Sequence, residues 1–320
     1  MAFNTGAGTK LAIGKESAWG TPVADTMLVN YTSESLSPEV TKTEEENLLA
    51  AMAASAYDLM GLRVSGDISA ILKPENAGYF MQAALGGTDV VAAVSATQQH
   101  TIPPVAADGD LPSYTIFVDR KQAVKKYSGC RVNSLKLSAK AGDYVRATLS
   151  FKGKDEATGV IASSTVPSLK AYKFINATVI AGGMTFEATS FEFSHENNLE
   201  DGPQTSSSGL YATEPVHTKR KTTITIETPY DANAETVKTT NLLADTVISS
   251  IVIHLESPSI ITAALKYRMD ITLNNVAIME VKTNVGGPGM LTTSIAGEAT
   301  AVGATLPVSA VIYDNNAVAY

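Results

Sequence analysis

The stretch Thr222-Thr223-Ile224-Thr225-Ile226-Glu227-Thr228 alternates polar residues with isoleucine. This period of two predicts a strand with one buried face and one wetted face. The segment Asn133-Ser134-Leu135-Lys136-Leu137-Ser138 has the same alternation. Antiparallel sheets with one solvated face give this pattern, whereas the near-continuous apolar strands of doubly wound sheets do not. The alternation therefore predicts a mainly β fold, a sandwich or a barrel, rather than an α/β fold.

The strand at 222–228 belongs to a unit that occurs twice along the chain. The first copy opens with Thr32-Ser33-Glu34-Ser35-Leu36 and reaches Pro74 after 42 positions. The second opens with Thr189-Ser190-Phe191-Glu192-Phe193 and reaches Pro229 after 40 positions. Internal repetition of this kind sets the architecture of a chain. The alternative, a chance match between two β-rich halves, stays open because the pairwise identity is low.

Each copy continues with an alternating strand, a turn and a closing strand that ends in glycine. These parts are 132–137, Gly142-Asp143 and Gly153 in the first copy, and 269–273, Asn274-Asn275 and Gly297 in the second. A chain of 320 residues is long enough for two cores of ordinary domain size. We therefore expect two tandem β-sandwich modules, residues 1–175 with long loops and residues 176–320, each with a short flanking α-helix.

Both predicted helices follow a proline. After Pro74, apolar residues recur at three- and four-residue spacing as far as Leu85, and Gly86-Gly87 supplies a C-terminal stop. After Pro229, Asp231 is a helix cap in front of a similar pattern. One short helix in each copy is expected to cover an edge or a face of the sheet.

Four polar or small-residue stretches separate these elements, namely 37–60, 87–111, 196–217 and 280–290. Structureless loops longer than ~12 to 15 residues are uncommon in compact domains unless they bind something or are disordered. We interpret these stretches as loops, and in an assembling protein they would be arms that reach a neighbouring molecule.

The charge balance is acidic, with a formal net charge of -8 and a pI near 5.1. A protein that grips nucleic-acid phosphates would need a basic face, so this class is excluded. The first residues do not have the charged and apolar regions of a secretion signal. No apolar run approaches the ~18 residues of a membrane helix. We expect a soluble chain, made and kept in the cytoplasm, without a membrane partner.

No motif predicts catalysis, a cofactor or a metal site. The segment from Gly8 to Glu16 has five residues between its glycines and a Glu after the Lys, where a phosphate-binding loop needs four residues and a Ser or Thr. The four histidines, His100, His195, His217 and His254, have none of the spacings of zinc ligands. Cys130 is the single cysteine and is expected to be a buried, inert thiol. The expectation is a protein that is not an enzyme and has no cofactor.

The segment Leu11-Ala12-Ile13-Gly14-Lys15-Glu16-Ser17-Ala18-Trp19-Gly20-Thr21-Pro22-Val23-Ala24 resembles the opening of tail tube proteins from long-tailed bacteriophages, where a short strand runs into a Trp-Gly-Thr-Pro turn. The similarity continues in the same order through Thr32–Leu36, Gly66-Asp67-Ile68 with Pro74 and its helix, Tyr127–Leu135, and Gly142-Asp143-Tyr144. The matched segments cover most of residues 11–154.

This resemblance implies tail-tube-type β-sandwich modules whose sheets join around a ring, and rings that stack into a hollow tube that carries DNA into the host. Most such proteins carry one unit and form hexamers. A chain with two units could close the ring as a trimer with pseudo-sixfold symmetry, and the hexamer remains the alternative. The implied partners are further copies of the chain, the tape measure protein, the tail terminator, and double-stranded DNA in transit without specific binding. The implied location is the virion tail.

By the same resemblance, the segment 41–62 is the loop expected to contact the adjacent ring. Its acidic and apolar side chains are the predicted inter-ring contacts, namely Glu44, Glu45, Glu46, Leu48, Leu49, Met52 and Met60.

Two other classes of function fit parts of the sequence. Another virion component, a capsid decoration or baseplate protein, would have the same β-rich and acidic composition. A bacterial adhesin or carbohydrate-binding module is opposed by the missing secretion signal and by an aromatic content of 7%, because sugar platforms need exposed rings.

Overall fold

The computed structural model describes residues 6, 8–45, 56–163, 165–262, 265–285 and 289–320. Strands dominate this part of the chain, and almost all of them belong to one large antiparallel sheet system. The predicted mainly β class is confirmed. None of the helices in these ranges is long and apolar enough to cross a membrane.

In the described part of the first half there are eleven strands and one helix. They are β1 (Lys10–Lys15), β2 (Met27–Val29), β3 (Tyr31–Glu34), β4 (Ser37–Glu44), β5 (Tyr57–Ile71), α1 (Pro74–Leu85), β6 (Val90–Val94), β7 (Thr97–Ile102), β8 (Tyr114–Asp119), β9 (Val124–Lys140), β10 (Arg146–Gly153) and β11 (Asp155–Thr158).

The second half begins after a short 3-10 helix at Phe174–Asn176. Its strands are β12 (Ala177–Ala181), β13 (Met184–Phe186), β14 (Ser190–Glu196), β15 (Leu199–Glu200), β16 (Val216–His217), β17 (Lys221–Pro229), β18 (Ile248–Thr262), β19 (Leu265–Asn284), β20 (Thr292–Ala299) and β21 (Val308–Asp314). Its helix α2 (Ala232–Thr236) lies between β17 and β18 and continues as a wider π-type turn at Val237–Leu242.

Both predicted helices are confirmed, with the stops and caps that the sequence indicated. Gly86 ends α1 in the left-handed region, at a φ of 76°, and its N–H bonds the Gln82 carbonyl. The Asp231 side chain accepts a hydrogen bond from the Ala234 N–H at 2.8 Å and so caps α2. Most of α1 is buried, so it is a core element and not only a cover on the sheet.

The two halves pair their strands in the same order. In the first half the order is β4–β5–β10–β9–β8–β1–β2. Strand β3 also pairs with β5, on the same side as β4. In the second half the order is β14–β17–β20–β19–β18–β12–β13. All of these pairings are antiparallel. The hairpin β6–β7, which follows α1, has no counterpart after α2 among the described residues. The predicted module boundary at 175 falls inside the short 3-10 helix and stays a prediction.

The long strands β9 and β19 bend at positions 146 residues apart. Gly129 in β9 has a φ of 68°, and Asn275 in β19 has a φ of 48°. Four residues further on, each strand has a β-bulge whose extra residue is Asn133 in β9 and Met279 in β19. Each of the two long strands therefore pairs with different strands before and after its bend. The predicted turn at Asn274-Asn275 is therefore wrong, because Asn tolerates a left-handed backbone and the strand continues through it.

The sheet is continuous between the halves. Strand β14 pairs along residues 134–140 of β9, and β21 pairs with β7. Buried apolar residues of both halves, such as Leu135 and Phe193, belong to one hydrophobic cluster. The two halves therefore share a core instead of being joined by a linker.

Parts of the predicted loops are strands. Residues 37–44 form β4 and pair with β5, 90–102 form the β6–β7 hairpin, and β19 continues to residue 284. In the stretch 196–217, the strand residues after the end of β14 at Glu196 are those of the short pair β15–β16, so this stretch fits the prediction better. Both faces of the β4–β5 ribbon are largely exposed. Without a buried face there is no apolar alternation for sequence reasoning to detect.

Candidate assembly surfaces

Eight strands form one continuous sheet across both halves, which we call the central sheet, in the order β4–β5–β10–β9–β14–β17–β20–β19. The strands at its two ends each leave one edge open. Strands β3 and β4 have β5 on one side and no strand on the other, within the described residues. At the opposite end, residues 277–284 of β19 pair only with β20 among the residues described. Unpaired edges of this length are sites where another strand can add. The molecule thus has two candidate assembly surfaces, the β3–β4 edge and the β19 edge.

The junction inside the chain shows what such an edge can bind. The segment of β9 that corresponds to the β19 edge is flanked by β10 on one side and by β14 on the other. There Phe193 lies opposite Leu137, and both side chains are fully buried. The Asn197 N–H donates to the carbonyl of the bulged Asn133 at 2.8 Å. We call this β9–β14 pairing the internal junction.

The β3–β4 edge is covered at one point by side chains. Alternation along the strand directs the N–H and C=O of Leu36 away from β5, because its neighbour Ser35 bonds β5. The Leu36 N–H donates to the Glu34 carboxylate at 3.1 Å, and Arg120 donates to the Leu36 carbonyl at 2.6 Å. Pro38, the next residue with this orientation, has no N–H at all. The edge is therefore protected but not paired with a strand.

One face of the central sheet is polar and uncovered. Along residues 134–140 of β9 and along β10, β14, β17 and β20, every second side chain is buried, and the intervening ones are mostly Ser, Thr, Lys and Glu. The exposed Glu280 and Lys282 of β19 continue this surface beside β20. Several of its lysines have glutamate partners, in the pairs Lys136–Glu192 at 2.7 Å, Lys221–Glu298 at 3.7 Å and Lys282–Glu280 at 2.6 Å. We call this surface the polar face. Its positive charges are largely neutralised by neighbouring carboxylates.

Of the seven predicted inter-ring residues, three are described. Glu44 ends β4, where it accepts a hydrogen bond from the Tyr57 hydroxyl at 3.4 Å. The Glu45 N–H donates to the Ala56 carbonyl at 3.0 Å. Met60 is the extra residue of a bulge in β5, half exposed, and its carbonyl accepts from the Gln204 side chain at 2.6 Å. The other four, Glu46, Leu48, Leu49 and Met52, lie outside the described residues.

The histidines do not come together in a reactive cluster. His100 is buried between Asp89 and Asp314, at 2.7 Å and 3.3 Å. His195 is buried against the Thr222 hydroxyl, and the low dielectric lowers its pKa to about 4. Within the described ranges, no three His, Cys, Asp or Glu side chains are placed to hold a metal ion. Cys130 is fully buried, which raises the pKa of its thiol.

His100 belongs to a network that holds the C-terminal residue against the first half of the chain. Tyr320 donates its backbone N–H to Asp89 at 3.1 Å and its hydroxyl to Asp314. Its carbonyl accepts from Lys15 at 2.6 Å, and its ring packs on His100 with centroids 4.7 Å apart. Burial alone would lower the pKa of His100, but the hydrogen bonds to Asp314 and Asp89 outweigh it and raise the pKa to about 9.

The sequence did not reveal the two open edges or the role of Arg120. An edge strand is a strand that has no neighbour on one side. The pattern of residues along the sequence does not show which strands lie beside each other. Pro38 was the one available signal, because proline within a strand is confined to edges and bulges.

The chain matches the model of a known protein family. A family model described as "Phage tail tube protein" matches residues 6–310. A search of curated proteins gave no match. The family match spans both halves of the chain, including both open edges.

Proposed function

We infer that this chain, which belongs to the phage tail tube protein family, is a structural subunit that assembles with copies of itself into rings, and that the rings stack into the hollow tube through which DNA passes. The observation that carries this function is the presence of two open edges at opposite ends of one sheet. Copies joined head to tail through such edges form a heterologous contact, which closes into a ring when the rotation allows it.

We further propose that the ring contains three chains. The same order of strand pairing in both halves, together with the bends at Gly129 and Asn275, supports two tandem modules in one chain. Three chains would then supply six modules and a pseudo-sixfold ring. The internal junction would be one of two kinds of contact around that ring, alternating with the contact between chains.

The polar face is the surface that we propose to line the passage for DNA. It is rich in Ser and Thr, and its Lys–Glu pairs leave few free cations to hold phosphates. Since affinity for DNA comes chiefly from cations that replace counterions on the phosphates, paired lysines favour passage over retention. The paired charges, rather than net acidity alone, would keep the binding of DNA weak.

Stacking of rings is proposed to use the β4–β5 ribbon, which carries Glu44, Glu45 and Met60 and extends beyond the body of the sheet. At the ends and inside of the tube, the tape measure protein and the tail terminator are the proposed partners. The tube would lie in the virion tail after synthesis of the chain in the host cytoplasm.

Electron microscopy of the concentrated protein tests this function. We expect hollow filaments of constant bore, and native mass spectrometry of isolated rings should give the mass of three chains. Rings of six chains would contradict the trimer but would be consistent with the proposed tube. Protein that stays monomeric at all concentrations, with and without virion components, would contradict the tube itself.

A further inference from the structure

The internal junction provides a residue-by-residue template for the contact between chains. The bulges place Asn133 of β9 and Met279 of β19 in equivalent positions, so that residues 146 apart correspond along these strands. The interval of 146 residues also holds between β10 and β20, the strands that pair with β9 and β19. Ser150 of β10 and Ala296 of β20 are each the last residue paired before the bulge. The β19 edge therefore corresponds to the segment of β9 that receives β14.

The equivalence can be carried to the β3–β4 edge through the pairing partners. Thr148 pairs with Ser69, and Ser294, its counterpart, pairs with Glu227. Ser69 in turn pairs with Ser33, and Glu227 pairs with Ser190. Ser33 and Ser190 are thus equivalent, and the same construction makes Ser37 equivalent to Ser194 through Ser65 and Thr223. Residues 157 apart correspond in these two strands.

We propose that the β19 edge of one chain receives the β3–β4 edge of a second copy in the register of the internal junction. This inference rests on the proposed function and adds to it the residues that meet. In the internal junction Ser194 lies opposite Lys136, and Phe193 lies opposite Leu137. Their counterparts give Ser37 opposite Lys282 and Leu36 opposite Thr283 across the contact between chains.

The faces of the strands agree with this register. Lys136 and Ser194 are on the polar face, as Lys282 is, whereas Leu137 and Phe193 point into the core. Leu36 is fully buried and points to the same side as Phe193 in the template. A shift by one residue would put Leu36 on the polar face, which is how burial of one face fixes the register of a sheet.

A second copy of this chain fits both ends of the contact. The β19 edge has the bend and the bulge that shape β9 for β14, and the β3–β4 edge is the other strand equivalent to β14. The sheet would continue from one chain to the next. Each chain would pair its β3–β4 edge with one neighbour and its β19 edge with the other. This geometry covers both edges in a closed ring.

Paired cysteines test the register. The Asn197 backbone bonds β9, and in an antiparallel pair every second residue does so. Ser194, three residues earlier, therefore does not bond β9, and it forms a non-hydrogen-bonded pair with Lys136. In such pairs the two residues lie closer together than in hydrogen-bonded pairs. The variant Ser37→Cys/Lys282→Cys should therefore form disulfides between chains on mild oxidation, because directly opposite side chains lie within bridging range. We expect covalent dimers and trimers on a non-reducing gel.

Two matched variants serve as controls. Ser194→Cys/Lys136→Cys carries the equivalent pair at the internal junction and should form its bridge within one chain under the same conditions. Ser37→Cys/Glu280→Cys shifts one partner by two residues, to a diagonal separation of about 7 to 8 Å, and should stay monomeric on the gel.

The outcomes separate the register from the function. Tubes by electron microscopy, together with failure of Ser37→Cys/Lys282→Cys to cross-link, would overturn the register and leave the proposed function intact. Cross-linking of the shifted pair instead of the matched pair would also overturn it. Absence of rings and tubes in the unmodified protein would overturn both inferences.

Discussion

Arg120 binds Glu34 through two hydrogen bonds, from Nε to Oε1 and from Nη2 to Oε2, each 3.0 Å long, and the pair covers the β3–β4 edge at Leu36. Both edge-facing backbone groups of Leu36 are bonded to this pair in the isolated chain. A strand that docks on the edge has to replace these bonds. The pair therefore acts against premature pairing, as charged side chains do at natural sheet edges.

Arg120→Met is expected to shorten the lag before spontaneous assembly. The substitution keeps an apolar stem but removes the two bonds to Glu34 and one of the two donors to the Leu36 carbonyl, the other being the Tyr127 hydroxyl at 3.1 Å. An exposed salt bridge is worth about 0 to 1 kcal/mol. Its loss should therefore change the equilibrium between the covered and the open β3–β4 edge by at most about fivefold. Light scattering at several protein concentrations measures the lag. Arg146→Met, which breaks an exposed pair with Asp143 away from both edges, is the control and should leave the lag unchanged. A lag equal to that of the unmodified protein in Arg120→Met would contradict the protective role.

The stability of the chain should fall as the pH rises through about 9. The pKa of His100 is raised from 6.5 to about 9 by Asp314 and Asp89, against the opposing effect of burial. Because the folded pKa lies above the unfolded one, the contribution is complete below pH 6.5 and disappears above about 9. Linkage gives a loss on the order of 3 kcal/mol over this window.

Denaturant unfolding at several pH values measures this loss. His100→Gln should be less stable at neutral pH and nearly independent of pH across the same window. His254→Gln, which affects a partly exposed histidine bonded to Asp270, should keep the pH dependence. If His100→Gln followed the same pH curve as the unmodified chain, another group would have to be responsible.

Gly78 in α1 is expected to accept no side chain while Tyr320 is in place. A Cβ on Gly78 would lie 2.1 Å from the Tyr320 ring. Gly78→Ala should therefore destabilise the chain by about 1 to 3 kcal/mol through overpacking, despite the better helix propensity of alanine. In a Tyr320→Ala background the clash is absent, and the same substitution should be neutral or stabilising by up to about 1 kcal/mol.

A double-mutant cycle with thermal unfolding checks this coupling. The four proteins are the unmodified chain, the two single variants and the double variant. Additive effects of the two substitutions would show that the C-terminal residue does not occupy its place over α1 in solution.

Local patterns of the sequence predicted the elements with a buried face, and the structure confirms them. The isoleucines of 222–228 and the leucines of 133–138 lie on strands whose alternate side chains are buried. Both helices were correct because their start and stop signals, such as Asp231 and Gly86, are local. The β4–β5 ribbon was missed because it has no buried face.

The candidate assembly surfaces were not predictable in the same way. The correspondence between Thr32–Leu36 and Thr189–Phe193 was visible in the sequence, and the structure aligns these segments through Ser33 and Ser190. The edges themselves depend on strands that are absent beside residues 33–40 and 277–284 in the described part of the chain, which only the folded sheet reveals. The turn predicted at Asn274-Asn275 shows the limit of residue preferences, since the same left-handed asparagine serves a bend inside a strand.

The bends in β9 and β19 should differ in their tolerance of alanine. At Gly129 a Cβ would meet Lys154 and Trp19 at 3.0 Å in addition to the strain of a positive φ. Asn275 already has a side chain at its positive φ, so that alanine there costs only the backbone strain, about 1 to 2 kcal/mol. Gly129→Ala is expected to cost more than Asn275→Ala, and Asn275→Gly should be close to neutral. Midpoints of chemical unfolding rank the three variants, and equal losses for both alanines would contradict the crowding at Gly129.

Glu280 is the position where the inferred contact between chains departs from its template. Its counterpart in the internal junction is Ser134, which lies opposite Glu196. Between chains, Glu280 would lie opposite Glu39, and like charges directly opposite each other destabilise a sheet. Arg63, bonded to Glu39 at 2.6 Å, and Lys282, bonded to Glu280 at 2.6 Å, reduce this repulsion without removing it.

Glu280→Ser, which copies the template, is therefore expected to lower the protein concentration needed for assembly. A gain of about 0.2 to 1 kcal/mol per contact corresponds to a decrease of up to about fivefold. The difference should shrink at high salt, because screening weakens the repulsion in the unmodified protein. Sedimentation of tubes across a concentration series measures it. Lys282→Ser removes a cation near the two glutamates and should change the threshold in the opposite direction. A threshold that rises with Glu280→Ser, or that moves equally at low and high salt, would mean that Glu39 and Glu280 do not face each other between chains.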